Sequence, residues 1–316
     1  MVKQVILCGC GNIGFRHLQA LADIDTPARI TIVEPFEGGH PRIADFIASE
    51  AAGGAEHYRL LSALPESREH FDLVVIATSA DTRQAAFDSV VDHHDVGYII
   101  FEKILFQTVT ALDEVAAKLE HMGIAAFVNC GRRGFENYHA LKTALAGGGP
   151  IDVTVTGSAF GLASNAVHFL DLCEFLNDTP LTSIDLSALQ SGAVESKRAG
   201  FYEIFGTLAA TLDNGAILSV TCLDSDKMEI GITLSQGVRS IAIDELGGTQ
   251  SEDGVTTPFA IKHVSGMPYL YDNALREGDP GLTPYAASAH QHRLYLRAMC
   301  QHLDLPSSDD TVCPVS

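Results

Sequence analysis

The sequence contains no tryptophan, few charged side chains and no long apolar run. Charged residues make up 19% of the 316 positions, and 20 Lys and Arg against 40 Asp and Glu give a net charge of −20. A chain this acidic repels phosphate backbones and anionic lipid surfaces, so we expect no nucleic-acid or membrane partner. Because the sequence has neither an uninterrupted stretch of about 18 apolar residues nor a signal-peptide pattern, it predicts a cytoplasmic protein.

Paired cysteines are also missing. The seven cysteines are odd in number and scattered, and they form neither a C-x-x-C pair nor a zinc-like spacing with histidine. We therefore expect thiols in a reducing compartment and no metal site. Cys8 and Cys10 suggest a redox pair only superficially, since both adjoin glycines of a turn, where small buried residues are expected.

The length and apolar content predict two globular domains. Hydrophobic residues make up 46% of the chain, enough for a sizeable core. In the first third, short apolar runs alternate with helical patterns, which is typical of an α/β fold with a doubly wound parallel sheet. The predicted strands are Val5–Cys8, Ile30–Glu34, Leu73–Thr78 and Tyr98–Glu102, with helices near Ile13–Ile24 and Thr110–Met122.

A different pattern begins near residue 150. Strand-like segments flank Asp213-Asn214-Gly215 and again Gln236-Gly237, both of which are typical of hairpin turns. We predict a meander of consecutive hairpins, and hence a C-terminal α+β domain with an open, mainly antiparallel sheet. The predicted domains are residues 1–128 and 129–316, and a last helix near Ala289–Leu303 should lead into a poorly ordered polar tail.

The first predicted strand is followed by a glycine-rich loop that opens a helix. In a dinucleotide-binding turn the first glycine permits the tight bend, the second lets a pyrophosphate approach the backbone, and the third lets helix and strand pack closely. The loop predicts dinucleotide binding, with a purely structural turn as the alternative. Its cofactor-binding candidates are Gly9, Gly11, Asn12, Ile13 and Gly14.

An acidic residue ends the second predicted strand, where dinucleotide-binding folds contact the adenosine ribose. Glu34 lies 20 residues beyond Gly14. Its carboxylate can accept both ribose hydroxyls and would repel a 2′-phosphate, so the sequence favours NAD over NADP. The nearest downstream arginine, Arg42, is too remote in sequence to be assigned as a phosphate clamp unless the loop folds back.

Polar residues follow two further predicted strands, at the edge where open α/β sheets bind ligands. Thr78 and Ser79 suit a cofactor wall, although turn chemistry also explains them. Glu102, a further cofactor-binding candidate, and Lys103 end the next strand. A lysine there can hydrogen-bond a substrate oxygen or protonate it, whereas a solvated surface lysine is the default by position alone.

A helical segment in the second predicted domain separates polar from apolar side chains. At about 100° per residue, Ser164, His168 and Asp171 fall within about 60° of one another, apart from an apolar arc that contains Phe169 and Leu172. On such a polar face His168 can act as the general base that takes a hydroxyl proton. The alternative is a structural histidine bonded to Asp171.

Four motifs, in this order along most of the chain, resemble those of the Gfo/Idh/MocA oxidoreductase family. They are similar to its phosphate loop, its strand-end Glu-Lys-Pro motif, the segment that opens its second domain, and its active-site helix. In this sequence they are GCGNIGFRHL at Gly9–Leu18 with the Arg16-His17 pair, FEK at Phe101–Lys103, VNCGRR at Val128–Arg133, and Gly161–Leu172.

Two positions depart from the family pattern. Ile104 stands in place of the proline, and because a non-proline cis bond is costly, it argues against a turn of the cis-proline kind. Ser164 stands in place of an aspartate four residues before the histidine. Its hydroxyl can bond a sugar hydroxyl, but it supplies no carboxylate near His168 to stabilise a protonated imidazole.

The resemblance implies a Rossmann domain followed by a domain whose open sheet supports a homodimer or homotetramer. It implies NAD(P)-dependent hydride transfer between the cofactor and a hydroxyl or carbonyl of a sugar, sugar acid, nucleotide sugar or cyclitol. Lys103 and His168 take the family's catalytic positions. The candidate substrate contacts are Lys103, Arg132, Ser164, Asn165 and His168, with Tyr269 or Tyr271 closing the pocket from the second domain.

Other interpretations stay open. The motif variants resemble a branch of the family associated with surface-polysaccharide sugars, whose anionic groups Arg132 and Arg133 can bind, although both arginines can equally pair with surface acids. Some relatives use tightly bound NAD to cleave a glycosidic bond without net redox change. A cofactor-binding regulatory protein without turnover is a third interpretation, to which Ile104 and Ser164 point.

Overall fold

The computed structural model describes residues 1–50, 57–196 and 200–315, which form two compact units. The first unit contains Met1–Phe106, Asp113–Asn129 and Lys262–Tyr285. The second contains Gln107–Leu112, Cys130–Ile261 and Ala286–Ser316. The sequence predicts contiguous domains of residues 1–128 and 129–316, whereas the structure returns a later segment of the chain to the first unit.

The first unit is built around a mainly parallel sheet. Its strands are β1 (Lys3–Cys8), β2 (Ala28–Val33), β3 (Tyr58–Leu61), β4 (His70–Ile76), β5 (Asp95–Phe101) and β6 (Ala125–Val128). The helices between them are α1 (Asn12–Ala22), α2 (His40–Glu50), α3 (Arg83–His93) and α4 (Val109–Met122). The segments 5–7 and 73–76 are completely buried, as strands covered on both faces must be. The predicted doubly wound α/β fold is confirmed.

The second unit combines helices with a mainly antiparallel sheet, as predicted. It begins with α5 (Glu136–Leu145), β7 (Asp152–Ser158) and α6 (Leu162–Asn177). The next strands are β8 (Leu181–Leu189), β9 (Val194–Glu195), β10 (Tyr202–Glu203), β11 (Gly206–Leu212), β12 (Ile217–Leu223), β13 (Glu229–Gln236), β14 (Arg239–Asp244), β15 (Thr249–Glu252) and β16 (Val255–Pro258). Both predicted hairpins form, β11 with β12 and β13 with β14.

The chain then returns to the first unit. This segment contains α7 (Pro268–Glu277) and β17 (Thr283–Pro284), after which α8 (Tyr285–His302) leads back to the second unit. Because β17 pairs antiparallel with β6, the strand order of the first sheet is β17-β6-β5-β4-β1-β2-β3. β4, β5 and β6 are therefore parallel neighbours whose carboxyl ends lie at one edge.

The predicted meander of the second sheet is wrong. The strand order is β16-β15-β14-β13-β7-β12-β11-β8, so β7 lies between the two hairpins. β7 is antiparallel to β13 and parallel to β12. Hairpin turns report only on neighbours in sequence, and β7 is separated from both partners by a long stretch of chain. Within the described ranges, no helix has the length and apolar character needed to cross a membrane.

The predicted disorder of the C-terminal tail is also wrong. Cys313 and Val315 are completely buried in the second unit. The Cys313 amide donates to the Gln107 carbonyl at 2.8 Å, and the Tyr202 amide donates to the Pro314 carbonyl at 2.9 Å. The polar composition of the tail concealed two apolar side chains that pack inward, and backbone hydrogen bonds hold them there.

Two valines of the tail provide a matched test of this packing. Val315 is completely buried, whereas Val312 is 56% exposed. We expect Val315→Asp to lower the free energy of unfolding by about 2–3 kcal/mol or more, because it buries an unpaired charge. Val312→Asp should change it by less than about 0.5 kcal/mol. Urea unfolding measures both, and equal losses would contradict the buried tail.

Candidate functional site

The glycine-rich loop of the first unit brings β1 and α1 into close contact. Gly9 has φ +84°, in the left-handed region, and its amide donates to the Val33 carbonyl at 2.9 Å. A Cβ on Gly14 would lie 2.0 Å from the Gly9 carbonyl oxygen. A Cβ on Gly11 would meet no atom of the described chain within 4 Å. Two glycines are thus required by packing, while Gly11 leaves open space beside the backbone.

The open space lies at the start of α1. This helix begins at Asn12, and its N-cap residue Gly11 has no side chain with which to cap the first amides. Amides of a first helical turn lack partners within the helix and carry partial positive charge. Asn12 and Ile13 are exposed, and their cofactor contacts stay a prediction. This helix end therefore suits an anionic group such as a pyrophosphate.

Glu34 is held beside the loop by backbone amides. Its Oε2 accepts from the Cys10 amide at 2.6 Å, and its Oε1 accepts from the Phe36 amide at 2.9 Å. The side chain is half-buried just after β2. Since each carboxylate oxygen can accept more than one hydrogen bond, both can still bind a ribose hydroxyl.

Arg42 does fold back onto the loop. Its Nη2 donates to the Gly11 carbonyl at 3.0 Å, and its guanidinium carbon lies 4.0 Å from the centre of the Phe15 ring. The sequence left this contact open because it depends on the path of the chain between β2 and α2. A positive charge therefore lies next to Gly11, while the carboxylate of Glu34 lies next to Cys10.

Cys8 and Cys10 pack within the loop rather than forming a redox pair. Both are buried, with exposed fractions of 4% and 2%. Burial raises the pKa of each thiol to about 12, and the charge of Glu34 adds to the effect at Cys10. Both sulfurs are therefore protonated at neutral pH, as expected for small structural side chains.

Two polar atoms are orphaned at the carboxyl edge of the first sheet. Thr78 Oγ1 and Asn129 Oδ1 are buried and have no hydrogen-bond partner among the described residues. Thr78 follows β4 and touches the loop, since a Cβ on Gly9 would meet its Cγ2 at 3.0 Å. Asn129 follows β6. Buried polar groups are normally bonded, so these atoms are suited to a ligand.

The other predicted cofactor-wall residue, Ser79, has a local partner. Its Oγ lies 3.3 Å from Thr82 Oγ1, and the Thr82 amide donates to the Ser79 carbonyl at 3.1 Å. Turn chemistry therefore accounts for Ser79, and its cofactor contact stays a prediction. Together, the open backbone at Gly11, the carboxylate of Glu34 and the orphaned hydroxyl of Thr78 fit a bound dinucleotide.

Glu102 lies in the interior of the first unit, only 3% exposed. Its Oε1 accepts from Asn129 Nδ2 at 2.6 Å and lies 2.8 Å from His17 Nε2. Its Oε2 accepts from the Lys103 amide at 3.2 Å. Burial alone would raise the pKa of Glu102, but these bonds and the charges of His17 and Lys103 bring it below its ordinary value. The buried carboxylate is therefore ionised, and its predicted cofactor contact remains untested.

Tyr271 also belongs to this group, and its predicted place in the second domain is wrong. It lies on α7 in the first unit, 1% exposed, and its hydroxyl is 2.6 Å from His17 Nδ1. Burial and the charge of Glu102 raise its pKa well above the ordinary value. Tyr269 lies on the same helix. The sequence missed this placement because the chain returns to the first unit only after the second is built.

The turn after Lys103 differs from the expectation drawn from Ile104. The Lys103–Ile104 peptide bond is cis. Arg83, 2% exposed, donates to the carbonyls of Ile104 and Leu105 and to the carbonyl of Thr78. One guanidinium thus joins the segments that carry Thr78 and Lys103. One feature of the sequence indicates that Arg83 has a special role. An arginine in the first turn of a helix is unfavourable beside the positive end of the helix dipole, so it needs partners elsewhere.

In the second unit, α6 presents the polar face that its spacing predicts. Ser164, Asn165 and His168 are half-buried, whereas nearly all other residues of the helix are buried. Ser164 Oγ donates to the Gly161 carbonyl at 3.2 Å, and Asn165 Nδ2 donates to the Phe160 carbonyl at 2.6 Å. The spacing also places Asp171 on this polar face, but in the structure its side chain is fully buried.

Arg132 and Arg133 pair with buried acids, not with surface acids. Arg132 Nε and Nη2 donate to Glu245 at 2.8 and 2.6 Å. Arg133 Nη2 donates to Asp171 at 2.7 Å. Glu245 is 5% exposed and Asp171 is 0% exposed. One edge of each guanidinium is committed to these acids, so a substrate contact for Arg132 stays a prediction without support from its partners.

Comparison with known proteins gives a family match for the N-terminal part of the chain. Residues 3–130 match a family model, GFO_IDH_MocA, described as "Oxidoreductase family, NAD-binding Rossmann fold". A search of curated proteins found no match. The family model agrees with the resemblance of the glycine loop and of the strand-end motif, both of which lie within residues 3–130.

Solved structures extend the likeness to the whole chain. The WlbA dehydrogenase from Bordetella pertussis, solved with NADH and UDP-GlcNAcA, is 19% identical, with a TM-score of 0.70 over 100% of this chain and 99% of that chain. The UDP-N-acetylglucosamine 3-dehydrogenase GnnA from Acidithiobacillus ferrooxidans is 16% identical, with a TM-score of 0.70 over 94% and 97%. The myo-inositol dehydrogenase from Lactobacillus casei, solved with NAD(H) and myo-inositol, is 16% identical, with a TM-score of 0.69 over 96% and 95%. At these identities the likeness shows the fold alone.

Two glycines of the loop separate packing from ligand binding. Gly11→Ala should leave the thermal unfolding midpoint nearly unchanged, because its φ of −63° suits alanine and its Cβ meets no neighbour in the described chain. It should weaken NADH binding by about tenfold or more, because the Cβ projects where a pyrophosphate would approach. Nicotinamide fluorescence measures the affinity.

Gly14→Ala is the matched control for that variant. Its Cβ would clash with the Gly9 carbonyl oxygen, which the backbone cannot relieve without moving. We expect a loss of at least about 1–3 kcal/mol in the free energy of unfolding. If Gly11→Ala binds NADH as tightly as the wild type, the open backbone is not the pyrophosphate site.

Proposed function

From the match of residues 3–130 to the family model of NAD-binding Gfo/Idh/MocA oxidoreductases, we propose that this protein is an NAD-dependent dehydrogenase or reductase of a sugar, sugar acid, nucleotide sugar or cyclitol. The observation that carries the proposal is at the edge of the first sheet. Ile76, Phe101 and Val128 are in register across β4, β5 and β6. Lys103 follows the middle strand, and the orphaned atoms of Thr78 and Asn129 follow the two outer ones.

Each half of the proposed chemistry has its own residues. Bound NAD supplies the hydride acceptor or donor, held by the glycine loop and by Glu34. Lys103 is half-buried, and in this proposal its ammonium group hydrogen-bonds the substrate oxygen and balances charge that develops there. In the second unit, His168 on the polar face of α6 takes or returns the hydroxyl proton.

The substrate class is proposed from that polar face and from the fold relatives. Ser164 and Asn165 stand beside His168 with hydroxyl and amide groups that suit sugar or cyclitol hydroxyls. Two relatives are named for, or bound to, a nucleotide sugar, and a third binds myo-inositol. The substrate panel therefore starts with UDP-sugars, includes uronic acids, and ends with cyclitols. Self-association through the open sheet and a cytoplasmic location stay predictions.

The cofactor preference is tested by binding. We expect the wild type to bind NADH more tightly than NADPH by about tenfold or more, because Glu34 repels a 2′-phosphate. Glu34→Ala should lose this preference, since Arg42 then becomes the nearby charge. Separate fluorescence titrations with the two cofactors measure both. If the wild type bound neither cofactor, the proposed NAD-dependent reaction would be contradicted.

The catalytic assignments are tested by turnover on that panel. Lys103→Met and His168→Asn should each lower kcat by about 10²–10⁴-fold, with NADH affinity unchanged, because they remove groups that act on the substrate oxygen. Lys227→Met is the control, since Lys227 is an exposed lysine paired with Glu229. Full turnover in either site variant would contradict its assignment. Release of a free sugar without net NADH would instead indicate glycoside cleavage.

A further inference from the structure

A chain of hydrogen bonds runs through the interior of the first unit to the backbone of Lys103. It begins at the Tyr271 hydroxyl, passes through both ring nitrogens of His17, and reaches Glu102. The exposed fractions of Tyr271, His17 and Glu102 are 1%, 0% and 3%. The last link is the Lys103 amide, which donates to Glu102 Oε2 at 3.2 Å. The proposed function gives Tyr271 and His17 no role.

The donors in this chain have one consistent direction. Because burial keeps the Tyr271 hydroxyl protonated, it can donate to His17 Nδ1. His17 then donates a proton on Nε2 to Glu102 Oε1. Each of these three side chains thus has a partner, and the negative charge of the chain is on the Glu102 carboxylate.

That negative charge lies next to the backbone of Lys103. The described groups that face Glu102 are His17 from α1, Asn129 from the end of β6 and Lys103 from the end of β5, with Tyr271 of α7 behind His17. Two bonds hold Oε1, and the third turns Oε2 toward Lys103. A buried carboxylate next to a lysine favours its ammonium form, because the interior screens the attraction only weakly.

We propose that His17 is a positioning residue for Lys103, acting through Glu102. The proposal rests on the role of Lys103 in the proposed function. Without the His17 donor, the buried carboxylate would lose a bond that stabilises its charge and would tend to take up a proton. Lys103 would then lose both the neighbouring charge and a fixed backbone partner.

A purely structural role for His17 predicts something different. Loss of a buried hydrogen bond would lower the free energy of unfolding but leave the titration of Lys103 unchanged. The decisive readout is therefore the protonation of the Lys103 amine in the folded full-length chain. Carbon-13-labelled lysine and NMR follow it, and the signal absent from Lys103→Arg identifies it.

The test compares two variants of the chain with one control. Glu102→Gln is nearly isosteric and keeps an acceptor for Lys103, so it removes the charge with little change in shape. His17→Asn removes the ring. We expect both to lower the pKa of Lys103 by about one unit, because the ammonium form loses its neighbouring charge. An unmoved Lys103 in both variants would overturn the proposal.

His94→Asn is the matched control. His94 is also buried, 1% exposed, and its Nδ1 accepts from the Glu69 amide at 3.3 Å. It lies just before β5, whereas Glu102 lies just after it, roughly 26 Å away along the strand. Loss of this histidine should cost stability and leave Lys103 unmoved. An equal shift in this control would mean that any loss of a buried histidine suffices, which would also overturn the proposal.

The NMR titration needs no substrate, so it separates two failures. If no member of the panel is turned over while the Lys103 signal moves in both variants, the proposed function fails and the coupling stands. Where turnover is found, His17→Asn should lower kcat by about tenfold with an unchanged NADH dissociation constant, since His17 acts only through Lys103.

Discussion

A carboxylate carried into the interior at the end of β5 is the constraint around which the first unit is arranged. An unpaired buried charge is too costly to persist, so Glu102 needs donors from several directions. They come from separate parts of the chain: His17 from α1, Asn129 from beyond β6, and the backbone of Lys103. Tyr271, more than 250 residues from His17, completes the set. The segment that returns to the first unit therefore contributes Tyr271 to the hydrogen-bond chain that ends at Glu102.

The same edge of the sheet is held by a buried cation. Arg83 donates to the carbonyls of Thr78, Ile104 and Leu105, so it connects the segment after β4 with the segment after β5. Charge-assisted bonds to carbonyl oxygens are stronger than neutral ones and are directional in the planar guanidinium. The turn at Ile104 is therefore held by hydrogen bonds from a side chain of the neighbouring helix α3.

Features that depend on neighbours in sequence were predictable, and features that depend on contacts between distant segments of the chain were not. The glycine loop, the buried strand runs and the hairpins at Gly215 and Gly237 follow from local rules, and all form. The place of β7 within its sheet, the burial of Val315 and the contact of Arg42 with Gly11 require long-range packing. No local pattern encodes them.

The acids of this chain show why composition does not assign a role. The Glu34 carboxylate accepts only backbone amides among the described residues and is half-buried, so its oxygens keep capacity for a ligand. Glu245 and Asp171 are buried against arginines, and their charges are balanced in ion pairs within the fold. Glu102 is buried against the ring of His17 and the amide of Asn129, and it directly precedes Lys103. The partners of each carboxylate, more than its burial, therefore distinguish an acid with remaining capacity for a ligand from acids that pair with arginines inside the fold.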